Sequence, residues 1–228
     1  MGALAVSFDW SFVADNADEL FAGLRRTLLV SGIAIAGAFV IGLVLGAARA
    51  HRVPVVSQVA AAYVEVIRNT PILVQIFFLY FGLTQEIGPW PGIRLEAFTV
   101  AWLAIMIWGG AFNTENFRAG FEAVHIGQRE AALAVGMTPG MTFREIILPQ
   151  TWRVTLPPIG NYAVQLVKDT SLVAAIAAPE IMFTARNLVV NTFQTTLVYG
   201  IAAALYLAIC IPLSRAIRRL ERRMAIPR

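Results

Sequence analysis

Thr27–Ala48 reads TLLVSGIAIAGAFVIGLVLGAA, twenty-two consecutive residues without a charge. A helix of about 20 apolar residues crosses the hydrocarbon core of a bilayer, whereas the apolar part of a secretory signal runs to only about 7–15. This stretch therefore sets the class: an all-α chain whose solvent is lipid. The residues before it argue against a cleavable leader, because the first nineteen carry Asp9, Asp15, Asp18 and Glu19 and no basic segment. Composition agrees, with 58% hydrophobic and 14% charged residues. A soluble domain carries about a quarter charged residues.

Outward from that stretch, the chain of 228 residues has room for about five spans. The first is Arg25–Ala48, where Gly32, Gly37, Gly42 and Gly46 predict a face for close helix packing. The second runs from Pro54 to Thr84. Glu65 and Arg68 lie three apart on one of its faces, and Arg68 is expected near the cytoplasmic interface, since an unpaired charge at depth is costly. Pro71 lacks an N–H and predicts a kink or break, with Gln75 the polar amide in the apolar run that follows. Gln85–Glu96 reads as a loop, with Trp90 as an interfacial anchor. The third span is Ala97–Thr114. A polar stretch, Glu115–Arg153, follows, with one short helix at Gln128–Val135 closed by Gly136 and a second opened by Thr138 and Pro139 that ends near Pro149. The fourth span starts near Val154 with Pro157 and Pro158 in its first turn. It is interrupted at Lys168 and Asp169 and resumes to Pro179. The fifth lies within Asn187–Ser214.

The net charge of +4 gathers at the C-terminal end, in Arg215, Arg218, Arg219, Arg222, Arg223 and Arg228. The positive-inside rule puts this end in the cytoplasm, and five spans then put the N-terminus outside. Arg25 and Arg26 run against the rule and read as snorkelling side chains. The basic tail is membrane charge asymmetry rather than a nucleic-acid footprint, and no nucleic-acid motif accompanies it. The organisation expected is an extracytoplasmic segment at 1–19, a transmembrane unit at 20–216 with a cytoplasmic loop at 115–153, and a basic tail at 217–228. One cysteine, Cys210, allows neither a disulfide framework nor a thiolate metal site. His51 and His125 are distant in sequence and not in metal-ligand spacing. No Walker A and no nucleophile elbow occur, so no catalytic residue, metal or bound cofactor is assigned, and the chain is not itself an ATPase.

Function is written most densely in GQREAALAVGMTPGMTFREIILPQ, Gly127–Gln150. It fits the pattern E-A-A, three residues, G, nine residues, I-x-L-P, at Glu130, Ala131, Ala132, Gly136, Ile146, Leu148 and Pro149. Alanines give a helix that can lie deep in a partner's groove; Glu130 in the first turn suits the helix dipole, and Gly136 permits a sharp turn. The alternative reading is an amphipathic helix on the membrane surface. The pattern resembles the EAA loop of binding-protein-dependent ABC importer permeases. YVEVIRNTPILVQ, Tyr63–Gln75, is similar to the [FY]-x-E-x-x-R-G-T-P-x-x-V-Q signature of the polar amino acid (histidine/glutamine/glutamate) permease family. Glu65, Arg68, Thr70, Pro71, Val74 and Gln75 match it, and Asn69 replaces the commoner Gly, a change associated with acidic amino acid permeases. QLVKDTSL, Gln165–Leu172, resembles that family's fourth span.

The resemblance implies the type I ABC importer permease fold in a bacterial inner membrane. The seven motif residues would form a coupling helix and its support, docked on ABC ATPase subunits that hold ATP and Mg. A second permease subunit, identical or paralogous, and an extracytoplasmic amino acid-binding protein complete the expected partners, with membrane lipids around them. Glutamate, aspartate or glutamine is the expected cargo. An opine or another amino acid derivative on the same scaffold is the alternative, and an ATP-independent secondary transporter is disfavoured because no inverted repeat is visible. Zwitterionic cargo calls for both signs of charge at membrane depth, which Lys168 and Asp169 offer beside Thr170 and Ser171. Thr70 and Gln75 are further candidates for the pathway, and Glu65, Arg68 and Pro71 for bracing and gating.

Overall fold

A computed structural model describes residues 10–86 and 95–224, and all the regular structure among them is helical. The helices are α1 (Trp10–Asp15), α2 (Ala17–Ala50), α3 (Val56–Arg68), α4 (Ile72–Phe77, prolonged by wider turns through Glu86), α5 (Ala97–Glu122), α6 (Ile126–Ala134), α7 (Pro139–Met141), α8 (Leu148–Asp169), α9 (Ile181–Thr192) and α10 (Thr195–Met224). By length and apolarity α2, α5 and α10 can each cross a membrane alone. Two bent pairs, Val56–Arg68 with Ile72–Leu83 and Pro139–Ile176 with Ile181–Thr192, bring the count to as many as five.

The centre of the fold is the pairing of α2 with α5. In lipid no hydrophobic force pulls two apolar helices together, so close van der Waals approach has to do it. Val30, Ala34 and Ala38 of α2 meet Ala101, Ala104 and Ile105 of α5 in one buried cluster. A Cβ on Gly42 would come within 2.8 Å of the Asn113 backbone, and one on Gly46 within 2.6 Å of Phe117 Cβ, so both positions require glycine. The expected glycine face is therefore real at Gly37, Gly42 and Gly46, while Gly32 faces open space. At the end that carries α6, an ion-pair chain fastens α2 to α5: Arg49 pairs with Glu115, and Arg118 bonds Glu115 at 2.7 Å and Glu122 at 2.6 Å.

Several boundaries differ from the sequence expectation, each for a physical reason. Charged residues from Glu115 read as loop, but Glu115, Arg118 and Glu122 sit at i, i+3 and i+4 spacings that support a helix, and α5 continues through Glu122. Helix does not end near Pro149 or begin at Val154: α7 runs through wider turns at Thr142–Ile147 straight into α8, which carries Pro149 in its first turn and Pro157 and Pro158 in its interior. The wide turns before Pro149 give its ring room, and in lipid leaving the helix costs more than losing two N–H donors. α10 extends to Met224, so the arginines from Arg215 to Arg223 are helical. The expected loop anchor Trp90 lies outside the described residues.

Candidate translocation site

Two of the helices are discontinuous. The first break follows Arg68. Pro71 sits at φ −58° and ψ 136°, extended backbone that stops α3, and the chain turns by 106° into α4. The last carbonyls of α3 then need donors, and neighbouring side chains supply them in order. Asn69 Nδ2 donates to the Glu65 carbonyl at 2.8 Å, Thr70 Oγ1 to that of Val66 at 2.8 Å, and Gln75 Nε2 to those of Ile67 at 2.8 Å and Thr70 at 2.9 Å. Asn69, the departure from the signature glycine, is thus a capping side chain. Thr70 and Gln75 spend their donors holding the break open.

The second break follows Asp169. Thr170 Oγ1 donates to the Val167 carbonyl at 2.7 Å and Ser171 Oγ to that of Lys168 at 2.8 Å, closing α8. A tighter turn over Thr170–Ile176 leads to Ala177 at φ 57°, and α9 starts again at a bend of 47°. Glu180, 0% exposed, caps the restart. Its carboxylate accepts from the N–H groups of Met182 at 2.8 Å and Phe183 at 2.7 Å, and from Tyr206 Oη of α10 at 2.6 Å. Thr27 of α2 accepts from the Ile181 N–H at 3.1 Å. A fully buried carboxylate is tolerable here because donors surround it at a helix N-terminus. Sequence reasoning missed Glu180, Tyr206 and Thr27. Their partners are far apart in the chain, and only the position of Glu180 just before an apolar helix offered a local signal.

Between the breaks stands an aromatic wall. Tyr162 of α8 stacks on Phe112 at 4.8 Å and on Trp108 at 5.7 Å between ring centroids. The Arg68 guanidinium lies over the Phe112 ring, 5.0 Å from its centroid. A cavity of about 340 Å³ opens there, lined by Val64, Glu65, Arg68, Asn69 and Phe112. Arg68 is the last residue of α3 and lies within electrostatic range of Arg49 in the α2–α5 ion-pair chain. Asp169 is 7% exposed. Its Oδ1 accepts from Gln165 Nε2 at 2.8 Å, but its Oδ2 and the Tyr162 hydroxyl have no partner among the described residues. Lys168 beside it is exposed. Buried polar atoms are nearly always bonded, so this carboxylate oxygen and this hydroxyl stand out near the helix break. Of the sequence candidates, Asp169, Lys168 and Arg68 keep free polar capacity, whereas the hydroxyls of Thr70, Thr170 and Ser171 and the Gln75 amide serve the backbone.

At the other functional locus, α6 stands at the end of the molecule with Glu130 and Ala131 exposed and Ala132 turned inward at 6% exposure. His125 Nδ1 accepts the Gly127 N–H at 3.1 Å and caps its start. Its end is a Schellman closure: Gly136 N–H donates to the Leu133 carbonyl at 3.0 Å and Met137 N–H to that of Ala132 at 3.1 Å, with Gly136 at φ 88°. Thr138 caps the next turn by accepting from Met141 N–H at 3.3 Å, with Pro139 as its first residue. Ile146 and Leu148 are half-buried, and Pro149 is exposed. His51 and His125, distant in sequence, line one cavity of about 400 Å³ between the ends of α2, α5 and α6. Among the described residues no group of three or more His, Cys, Asp or Glu is arranged to hold a metal.

Two broken helices among long apolar ones, with an exposed small-residue helix at one end, fit a membrane transport subunit. The chain belongs to the family of the binding-protein-dependent transport system inner membrane component, whose model matches residues 38–226. It is 38% identical over 221 residues to the glutamine transport system permease protein of Escherichia coli strain K12, covering 97% of this chain and 100% of that one. It is 33% identical over 219 residues to the nopaline transport system permease protein of Agrobacterium fabrum, covering 93% and 90% respectively. A crystal structure of an amino acid ABC transporter with histidines superposes with a TM-score of 0.84 at 31% identity, over 96% of this chain and 100% of that chain. The protein is thus the permease subunit of an ABC importer, an inner-membrane component whose ATP is hydrolysed by a separate partner.

Proposed function

We propose that this permease carries polar amino acids, glutamine and its acidic relatives first, through a site between the two helix breaks. The observation that carries the reading is the unbonded Oδ2 of buried Asp169, in a fold where the Arg68 guanidinium lies over the Phe112 ring on which Tyr162 stacks. An α-ammonium group suits the first and an α-carboxylate the second. The glutamine relative at 38% identity supports glutamine over the nopaline alternative at 33%.

In this reading the α6 end and the basic tail face the cytoplasm and the segment at 1–19 faces outward. α6 is a coupling helix: Glu130, Ala131 and Ala132 enter a groove of the ATPase, and Gly136 turns the chain back so that Ile146, Leu148 and Pro149 join it to α8. A second permease copy or paralogue closes the pathway from the opposite side, and a binding protein delivers cargo from outside. The test is ATP-driven uptake of labelled glutamine, glutamate, aspartate and nopaline by the whole complex in proteoliposomes. Glutamine uptake that is lost without ATP is expected, and uptake indifferent to ATP would remove the importer mechanism. Within that assay Gly136→Val forces a β-branched residue to positive φ, a strain of about 1–3 kcal/mol. ATP hydrolysis should persist while uptake per ATP falls by roughly tenfold; unchanged uptake would count against α6 as the coupling element.

A further inference from the structure

Gln128 and Gln150 stand near the two ends of the EAA stretch, 22 residues apart, and their side-chain amides meet in the fold. Gln150 Nε2 donates to Gln128 Oε1 and also to the Ile146 carbonyl at 2.9 Å, which orients the amide. Gln128 lies in the first turn of α6 and Gln150 in the first turn of α8. The covalent route between them is compliant: it passes Gly136 at positive φ and Gly140, both with open space around them, and the three-residue α7. The contact bypasses that route. From Gln150 onward α8 is continuous to Asp169, so a push on its first turn reaches the second helix break with little loss.

We propose that the Gln128–Gln150 amide pair is a strut that passes the displacement of α6 directly to α8, making both glutamines positioning residues for transport. This rests on the reading of α6 as the ATPase-docking helix. It gives the amides at the two ends of the stretch a shared task. The strut works as a compression member. It need not be strong, because one hydrogen bond fixes the direction along which two elements already in contact are driven.

The experiment is a double-mutant cycle in the reconstituted complex, with cargo moved per ATP hydrolysed as the readout and co-purification of the ATPase as a parallel measurement. Gln128→Ala and Gln150→Ala should each retain the ATPase and its hydrolysis while the transport ratio falls roughly 3- to 10-fold. The double variant should be no worse than either single, and the pair Gln128→Glu with Gln150→Lys should restore the ratio. Singles that keep the full ratio, or a double variant whose loss is the product of the two, would overturn the strut. Loss of ratio with no rescue by the Glu–Lys pair would also overturn it. If Gln150→Ala fails to fold, Gln128→Ala on the exposed helix and the Glu–Lys pair still decide the matter. Failure of the wild-type complex to retain any ATPase would instead bring down the docking reading itself.

Discussion

The two helix breaks solve one problem in opposite ways. At Asn69–Pro71 a proline stops the helix, and the freed carbonyls are taken by side chains from within ten residues, at a half-exposed surface beside the cavity. At Thr170–Glu180 the helix stops without a proline at the stop itself, and Pro179 stands just before the restart. The restart is held by a buried carboxylate that draws on α10, while the adjacent N–H is held by Thr27 of α2, 154 residues away. The first break is capped locally, although α4 beyond it buries Ile76 in the core. The second is fastened into the core and turns only with α10 and α2. A transporter needs both kinds: one wall that yields to cargo, and one tied to the body that moves.

That contrast can be broken most severely at Glu180. Glu180→Ala leaves three buried donors unmatched and should cost about 3–5 kcal/mol, with Glu180→Gln intermediate, read as a lowered melting temperature of the detergent-solubilised protein. An alanine variant that melts with the wild type would mean the second break is not held by this network. Gln75→Leu keeps the bulk but strips two carbonyls of their donor, and should cost about 1–2 kcal/mol. If that loss equalled the one at Glu180, the distinction between a local and a core-fastened break would collapse. Asn69→Gly, which restores the commoner signature residue, should cost under about 1 kcal/mol in the same melt, because the Glu65 carbonyl it serves can reach water. A larger loss would show that Asn69 braces more than one carbonyl.

The same contrast explains what could be read in the sequence. Thr27–Ala48 announced a membrane span, Pro71 announced the first break, and Gly136, Thr138 and Pro139 announced the turn after α6, because each acts through its own backbone or its immediate neighbours. Thr70 and Gln75 were found as polar residues, but the carbonyls they serve exist only once the helix stops. Glu180, Tyr206 and Thr27 were not found, since a partner 26 or 154 residues away leaves no spacing to read. That His51 and His125 line one cavity was hidden for the same reason. The charged helix end at Glu115–Glu122 was misread as loop, because in lipid-facing chains charge is taken as a boundary, and its i, i+3 and i+4 pairing was not weighed.

The central claim is that the chain's cargo engages the free carboxylate oxygen at the end of α8, and Asp169→Asn tests it most directly. Melting and ATP-driven glutamine uptake should be measured on the same reconstituted preparation. The amide removes a charge that the fold leaves only half-bonded, so stability should hold or rise by about 1 kcal/mol, while uptake falls at least tenfold. A variant that transports glutamine as the wild type does, at equal stability, would contradict the account.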